Sequence, residues 1–467
     1  MSDTLDITIN FAEAIGGVLG VEIVCHMTDD RTDFTLEALT VGNGVAVTDL
    51  AVRAPDGSAI PFEVYQATLT VKARAFTLAY TLRTPFTVCI GVDNARVMMY
   101  PFATPWEVFF GSGALAYPAD WHSTQDDLLV TCQIVNLPLD FGIFTSLAAP
   151  DEILPAQLPR FFMYASLDPA IRSHHYSYQN GHTLTFNLLV QDGKDIPIPT
   201  REVFALIDAY LGHLEKRLAP YDKTDTINIL ILQAAADFQQ IAYGQTFATG
   251  ENVINGITCY APADSDYLDA LFGYRDYAYY LHDGLTHELT HLYTSAGGDA
   301  EHKAILYPAH DCRRRVRRLI GEALAGYAHS LYMHRDALDG FVTGTVARWL
   351  NHQQANGLRS PHLDLFSFDV WLRAQGSTLL DVFAALVRRQ QHADSPFDSA
   401  AILFEAAETD LGILVPTPLQ DQMTGDAVPD YPALVSAALA QIGYALVAAA
   451  DGTYVIEPGA GGAIEFV

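Results

Sequence analysis

Residues 287–291 read His-Glu-Leu-Thr-His, a set of types suited to metal-assisted hydrolysis. Two imidazoles four residues apart on a helix share a face and can hold one divalent metal, and the carboxylate beside the first is placed to act as a general base. The neighbours predict the helix. Leu285, Leu289, Leu292 and Tyr293 fall at i, i+4, i+7 and i+8, no proline or glycine interrupts 285–296, and Asp283 offers an N-cap. The apolar stripe is expected to face a core, with His287 and His291 pointing together from another face.

A catalytic zinc takes three protein ligands and keeps one position open for water. The candidate third ligand is Glu322, in the stretch Gly-Glu-Ala-Leu-Ala-Gly-Tyr-Ala-His-Ser that begins at Gly321. Leu319, Ile320, Ala323, Leu324 and Ala325 surround it, and a carboxylate in so apolar a run is costly unless it is paired or bound to a metal.

The elements that must position these residues are legible as three parts. Residues 1–196 carry short β-rich runs separated by Asp-Gly and Asn-Gly turns, which predicts an all-β, sandwich-like domain. Within 197–412 a helix over 201–218 is followed by a buried strand at Ile227–Ala235 and then by mostly helical sequence, an α+β domain that becomes α-helical. Residues 413–467 read as a proline-containing linker, an Ala-rich helix and a hairpin, a small C-terminal α/β module that caps the chain. The expected fold is therefore multidomain.

Composition limits the partners. The 467 residues hold 26 Lys plus Arg against 55 Asp plus Glu, a formal net charge of −29. That is the wrong sign for a phosphate-backbone or anionic-membrane binder, so neither nucleic acid nor a membrane is expected as a partner. With 50% hydrophobic and 17% charged residues the chain is globular. Cys25, Cys89, Cys132, Cys259 and Cys312 are too irregularly spaced for a disulfide framework. The N-terminus lacks a basic, then apolar, leader, and a cytoplasmic protein is expected.

His287-Glu288-Leu-Thr-His291, with Glu322 following 31 residues after His291, resembles the gluzincin zinc metallopeptidases. In these, HExxH is completed by a glutamate from a downstream Glu-Gly-x-x-x-Tyr-like segment, and Ala323 replaces the usual glycine here. The order of parts is similar to the glycyl aminopeptidase family and more distantly to the aminopeptidase N family, although 413–467 is too short for the complete PDZ domain that usually ends the former. The resemblance implies a thermolysin-like catalytic domain and one zinc per chain held by His287, His291 and Glu322, with Glu288 as general base. Peptide or protein is the implied substrate. An oxyanion donor normally comes from a later Tyr-Tyr-x-x-Gly-like element, which is absent: no tyrosine lies between Tyr332 and Tyr431. His362 is the nearest substitute, since an imidazole can donate to an oxyanion.

Upstream, Asn255, Gly256 and Ile257 open a run that reads as an edge strand suited to pairing with an extended peptide. Glu251 and Asn252 loosely resemble the Gly-x-Met-Glu-Asn motif that holds the substrate amine in aminopeptidase N relatives, which makes Glu251 the expected amine anchor. The function expected is a zinc-dependent aminopeptidase. A zinc endopeptidase and a non-catalytic, peptide-binding scaffold with a peptidase-like fold stand as alternatives.

Other polar clusters have plainer readings. Glu301, His302, His310, Asp311 and Cys312 read as a loop, and Arg313, Arg314, Arg315, Arg317 and Arg318 as a solvated helix face. Tyr327 is expected to pack beneath the metal, and His174 and His175 to lie on a strand edge.

Overall fold

Alternation of apolar and polar side chains builds the first sheet. Along β1 (Asp3–Asn10), Leu5, Ile7 and Ile9 are buried, and along β2 (Val18–His26) the buried set is Leu19, Val21, Ile23 and Cys25. These sets face one another in register, Leu5 opposite Cys25 and Ile7 opposite Ile23, so a one-residue slip would turn both out of the core. β3 (Ala46–Arg53) and β4 (Ala75–Arg83) extend the sheet on one side, and β5 (Leu128–Val135) pairs in parallel with β1 on the other, giving the order β5-β1-β2-β4-β3. The described coordinates of this computed structural model cover residues 2–459 except 31, 41–45, 85–89, 94–95, 100–101, 105, 120–127, 148–152, 154–157, 159–160, 192–198, 234–255, 262–276, 295–318, 392–396 and 398.

The chain forms two compact units. The first comprises Met1–Tyr176, Thr183–Phe204 and Thr224–Leu285; the second comprises Ser177–His182, Ala205–Lys223 and Thr286–Val467. In the first, a four-stranded sheet of Phe62–Tyr65, Thr68–Val71, Thr32–Thr35 and Tyr117–Pro118 shares the core of the five-stranded sheet. Phe34 of the four-stranded sheet meets Phe76 of the five-stranded one edge to face at 5.8 Å, and the N-terminal region is β-rich as expected. A further sheet runs Phe102–Ala103, Glu107–Gly111, Phe162–Leu167, Phe141–Thr145. Cys25 and Cys132 are buried thiols in the first sheet, and burial pushes the Cys25 thiol well above its ordinary value.

A fourth sheet follows the order β6 (Arg172–Ser177), β7 (Thr183–Val190), β8 (Thr226–Gln233), β9 (Gly256–Ala261). β7, β8 and β9 are parallel, so β7 and β8 need a crossover, supplied by helix α1 (Thr200–Arg217). His174 and His175 lie on the edge strand β6, where His174 stacks on Phe204 at 4.8 Å and His175 Nδ1 lies 3.1 Å from Thr185 Oγ1. This is the strand-edge role expected of them.

The second unit is mostly helical. It contains the end of α2 (Tyr277–Thr290), α3 (Leu324–Met333), α4 (Ala347–Asn356), α5 (Pro361–Ala374), α6 (Leu379–Gln391), α7 (Ala401–Asp410), α8 (Thr417–Thr424) and α9 (Tyr431–Gln441). A hairpin of β10 (Tyr444–Ala448) and β11 (Tyr454–Pro458) follows α9. The expected break near 356–361 is present: α4 stops at left-handed Gly357 (φ 65°), and Pro361 starts α5 at a position that needs no N–H.

The segment read as a linker is not free chain. It contains α8, whose Met423 is buried, and Arg359 donates to the carbonyls of Gln422, Gly425 and Ala427 as well as to Asp364. These contacts tie it to the start of α5, an effect that proline content alone does not reveal. Among the described residues no single helix is long and apolar enough to cross a membrane.

Candidate active site

α2 carries the His-Glu-Leu-Thr-His residues, and its end tightens at them. Regular helix stops at Thr290, after which His291 and Leu292 donate to the carbonyls of Glu288 and Leu289, three residues back, at 3.1 and 3.2 Å. Leu285, Leu289, Leu292 and Tyr293 are all buried, as their spacing predicts. Two buried hydrogen bonds fix this end: Tyr210 of α1 lies 2.5 Å from Thr290 Oγ1, and Tyr293 donates to the Ala219 carbonyl at 2.6 Å. Asp283 is not an N-cap. The helix has already begun at Tyr277 and runs through Asp283 and a buried Gly284, so packing overrides the low helix propensity of glycine.

Glu322 comes from a different kind of turn. Leu319–Ala323 is π-helical, and within it Leu319, Ile320, Gly321 and Ala323 are buried while the Glu322 side chain is 47% exposed. The wider turn keeps the apolar residues inside and turns the carboxylate outward; such turns recur at functional sites.

Three atoms converge. His287 Nε2 and His291 Nε2 are 3.0 Å apart, and Glu322 Oε2 lies 3.4 Å from the first and 3.6 Å from the second. A tetrahedral zinc with bonds of 2.0–2.1 Å spaces its ligand atoms about 3.3 Å apart, so this triangle fits the metal. Glu288 is also near, as the described group His287, Glu288 and His291 that could hold a metal indicates. Its Oε1 stands 4.0 Å from His287 Nε2, farther than Glu322 Oε2 at 3.4 Å, and its side chain is buried.

The protonation states suit metal binding. Burial pushes the His291 pKa down, an effect that Glu322 only partly opposes. Partial desolvation works against the Glu322 charge, but His291 and His287 outweigh it and hold the carboxyl well below its ordinary value. The remaining ring nitrogens are also engaged. His291 Nδ1 is 3.0 Å from Thr294 Oγ1, and His287 Nδ1 is 3.3 Å from His329 Nδ1. His ligands commonly use their second nitrogen in this way to fix ring orientation.

His362 lies in the first turn of α5. Its ring stacks on Trp349 at 4.7 Å, and its Nε2 approaches the backbone of Gly326 on α3. Burial, then the neighbouring His287 and His329, push its pKa down to about 4 against a smaller opposing pull from Glu322, so it is neutral near pH 7. Tyr327 is buried and donates to Asp369 at 2.8 Å, in a group where Arg373 also reaches Asp369 at 3.0 Å.

His287, Glu288, His291, Glu322 and His362 are thus all found in the second unit. Gly256 and Ile257 belong to β9 in the first unit, opposite Asn228 and Ile229, with β9 at the edge of its sheet among the described residues. Glu251, Asn252, Asn255, Glu301, His302, His310, Asp311, Cys312 and the arginines of 313–318 lie outside the described residues. His329, Gly326 and Trp349 are functional candidates that motif reading passed over. The available signal was Glu322, Gly326 and His329 at i, i+4 and i+7, one face of a helix.

No family model and no curated protein sequence matches this chain. Solved structures do. An aminopeptidase N family protein from Idiomarina loihiensis aligns over 95% of this chain and 79% of its own, at 10% identity and a TM-score of 0.58. An M1 zinc metallopeptidase mutant from Deinococcus radiodurans, bound to a Tyr-Ser-Ala substrate, covers 92% of this chain and 95% of its own at 12% identity and a TM-score of 0.49. Legionella pneumophila aminopeptidase A, in complex with aspartic acid, covers 91% and 49% at 9% identity and a TM-score of 0.49. The chain has the fold of an aminopeptidase N family protein, and the resemblance expected from the sequence holds at the level of fold.

Proposed function

We propose that this chain is a zinc-dependent metallopeptidase, and specifically an aminopeptidase. The observation that carries the proposal is the triangle of His287 Nε2, His291 Nε2 and Glu322 Oε2, with sides of 3.0, 3.4 and 3.6 Å. Zinc held by these three residues would supply Lewis acidity, polarising the scissile carbonyl and lowering the pKa of water to about 7.

The chain's own groups do the rest. Glu288 accepts a proton from the attacking water and returns it to the departing amine, a role that suits a buried carboxylate beside the ligands. His362 donates an N–H to the oxyanion. Its depressed pKa favours this, because a neutral imidazole retains one donor without spending a proton. Gly256 and Ile257 offer the backbone of an edge strand to an extended peptide, Asn255 assists them in binding it, and Glu251 anchors the peptide's free amine.

Metal analysis of wild type and Glu322→Ala, together with hydrolysis of free-amine and N-blocked peptides, tests the proposal. The expected result is about one zinc per chain, lost with Glu322, and cleavage of free-amine peptides only. Cleavage of blocked peptides would replace the aminopeptidase with an endopeptidase. Bound zinc with no hydrolysis of either set would favour the non-catalytic peptide-binding protein, and absence of zinc from the wild type would overturn the proposal.

A further inference from the structure

Glu322, Gly326 and His329 share one helical face, and imidazoles reach each of them. His287 and His291 meet Glu322, His287 also meets His329, and His362 lies against Gly326. The last contact is unusually close. A Cβ at Gly326 would stand 2.6 Å from His362 Nε2 and 3.2 Å from its Cδ2, so the ring rests directly on the helix backbone. Trp349 supports the ring as well, stacked at 4.7 Å with 28° between planes. Thus His362 is held between an indole and a stretch of helix that lacks a side chain.

Gly326 is out of place by propensity. It sits inside α3 with buried residues before and after it, where alanine would be the better helix former, and its neighbours Ala325 and Ala328 show that small apolar residues suit this helix. A glycine retained there needs another reason, and the close approach of the His362 ring supplies one.

We propose that Gly326 is a positioning residue: it forms a slot that admits His362 to the helix face bearing Glu322, and together with Trp349 it fixes the imidazole there. Any side chain at 326 would displace the ring from the site. The catalytic half of this inference rests on the zinc peptidase proposed above, whereas the structural half does not.

A double-mutant cycle separates the two. Wild type, Gly326→Ala, His362→Ala and the double variant would be compared by thermal unfolding and by peptide kinetics. With His362 present, Gly326→Ala is expected to lower Tm; with the ring removed, the same change is expected to raise it, because only the better helix former remains. In kinetics, Gly326→Ala is expected to reduce kcat about 10²-fold or more with KM nearly unchanged, and the double variant to be no slower than His362→Ala. If His362→Ala does not fold, His362→Asn, whose side chain ends short of the Nε2 position, completes the cycle.

Equal shifts of Tm in both backgrounds would overturn the slot. Coupled Tm shifts with unchanged kcat in His362→Ala would overturn the positioning role and reduce the contact to packing. Coupled Tm shifts in a chain that binds no zinc would uphold the slot while removing the catalytic assignment.

Discussion

Two carboxylates, one in each unit, show how a structural polar cluster differs from a chemical one. Glu107, on a strand of the first unit, is 8% exposed and accepts hydrogen bonds from Tyr164 at 2.5 Å and Gln191 at 2.7 Å. Each of its oxygens accepts from a neutral donor at contact distance. Glu322, on a π turn of the second unit, is half-exposed and stands 3.4 and 3.6 Å from two imidazole nitrogens. Those spacings are long for hydrogen bonds and right for atoms that share an ion. Closed geometry stabilises a fold, and open geometry among groups of matched charge leaves room for a reactant.

The largest effects should break the open cluster. Glu288→Gln is expected to lower kcat by about 10²- to 10⁴-fold while zinc content stays at the wild-type level, because the general base is lost and the ligands are not. Steady-state kinetics with parallel metal analysis checks this, and loss of zinc along with activity would reassign Glu288 as a ligand. His329→Ala is expected to weaken zinc binding by about 10- to 100-fold in chelator competition, since His287 loses the partner of its Nδ1. His329→Gln, which keeps an acceptor, should recover part of that loss, and equal affinities of all three proteins would show that His329 only packs.

The closed cluster should respond in the opposite way. Glu107→Leu leaves the Tyr164 hydroxyl and the Gln191 amide without this acceptor, at about 1–3 kcal/mol for each buried donor. A fall in the unfolding midpoint with normal kcat and zinc content is expected. A loss of activity without a loss of stability would place Glu107 in the chemistry and erase the distinction between the two carboxylates.

How much of this the sequence discloses follows the range of the interactions. His287, Glu288 and His291 are legible because helical spacing is local; Glu322 stands out as the lone carboxylate among Leu319, Ile320 and Leu324, although the fold turns it outward and spares it the cost of burial. The π turn is not legible: nothing in Leu-Ile-Gly-Glu-Ala separates it from ordinary helix. His329 and Gly326 have partners 42 and 36 residues distant, so their roles depend on tertiary structure. In the β region, the strands 3–10, 18–26 and 75–83 alternate and are easily read. Glu107–Gly111 is buried at every position and Phe162–Leu167 at all but its last, so no alternation marks them.

A third polar group, set beside cations, gives the smallest and sharpest test. His213, on α1, lies against the rings of Tyr210 and Tyr332, and burial, then Arg217, Arg335 and Lys216, push its pKa from 6.5 down to about 4. His291 is buried too, but Glu322 partly opposes the same fall. Above pH 6.5 His213 is neutral in both folded and unfolded chains, and its contribution to stability is fully present. As the pH drops towards 4, the unfolded chain takes up a proton that the folded chain refuses, so stability declines across that window. His213→Phe keeps the ring contacts and removes the titration. The unfolding midpoint of the variant should therefore fall less between pH 7 and pH 4.5 than that of the wild type, and parallel pH profiles would mean that the folded protein accommodates the His213 charge despite its cationic neighbours.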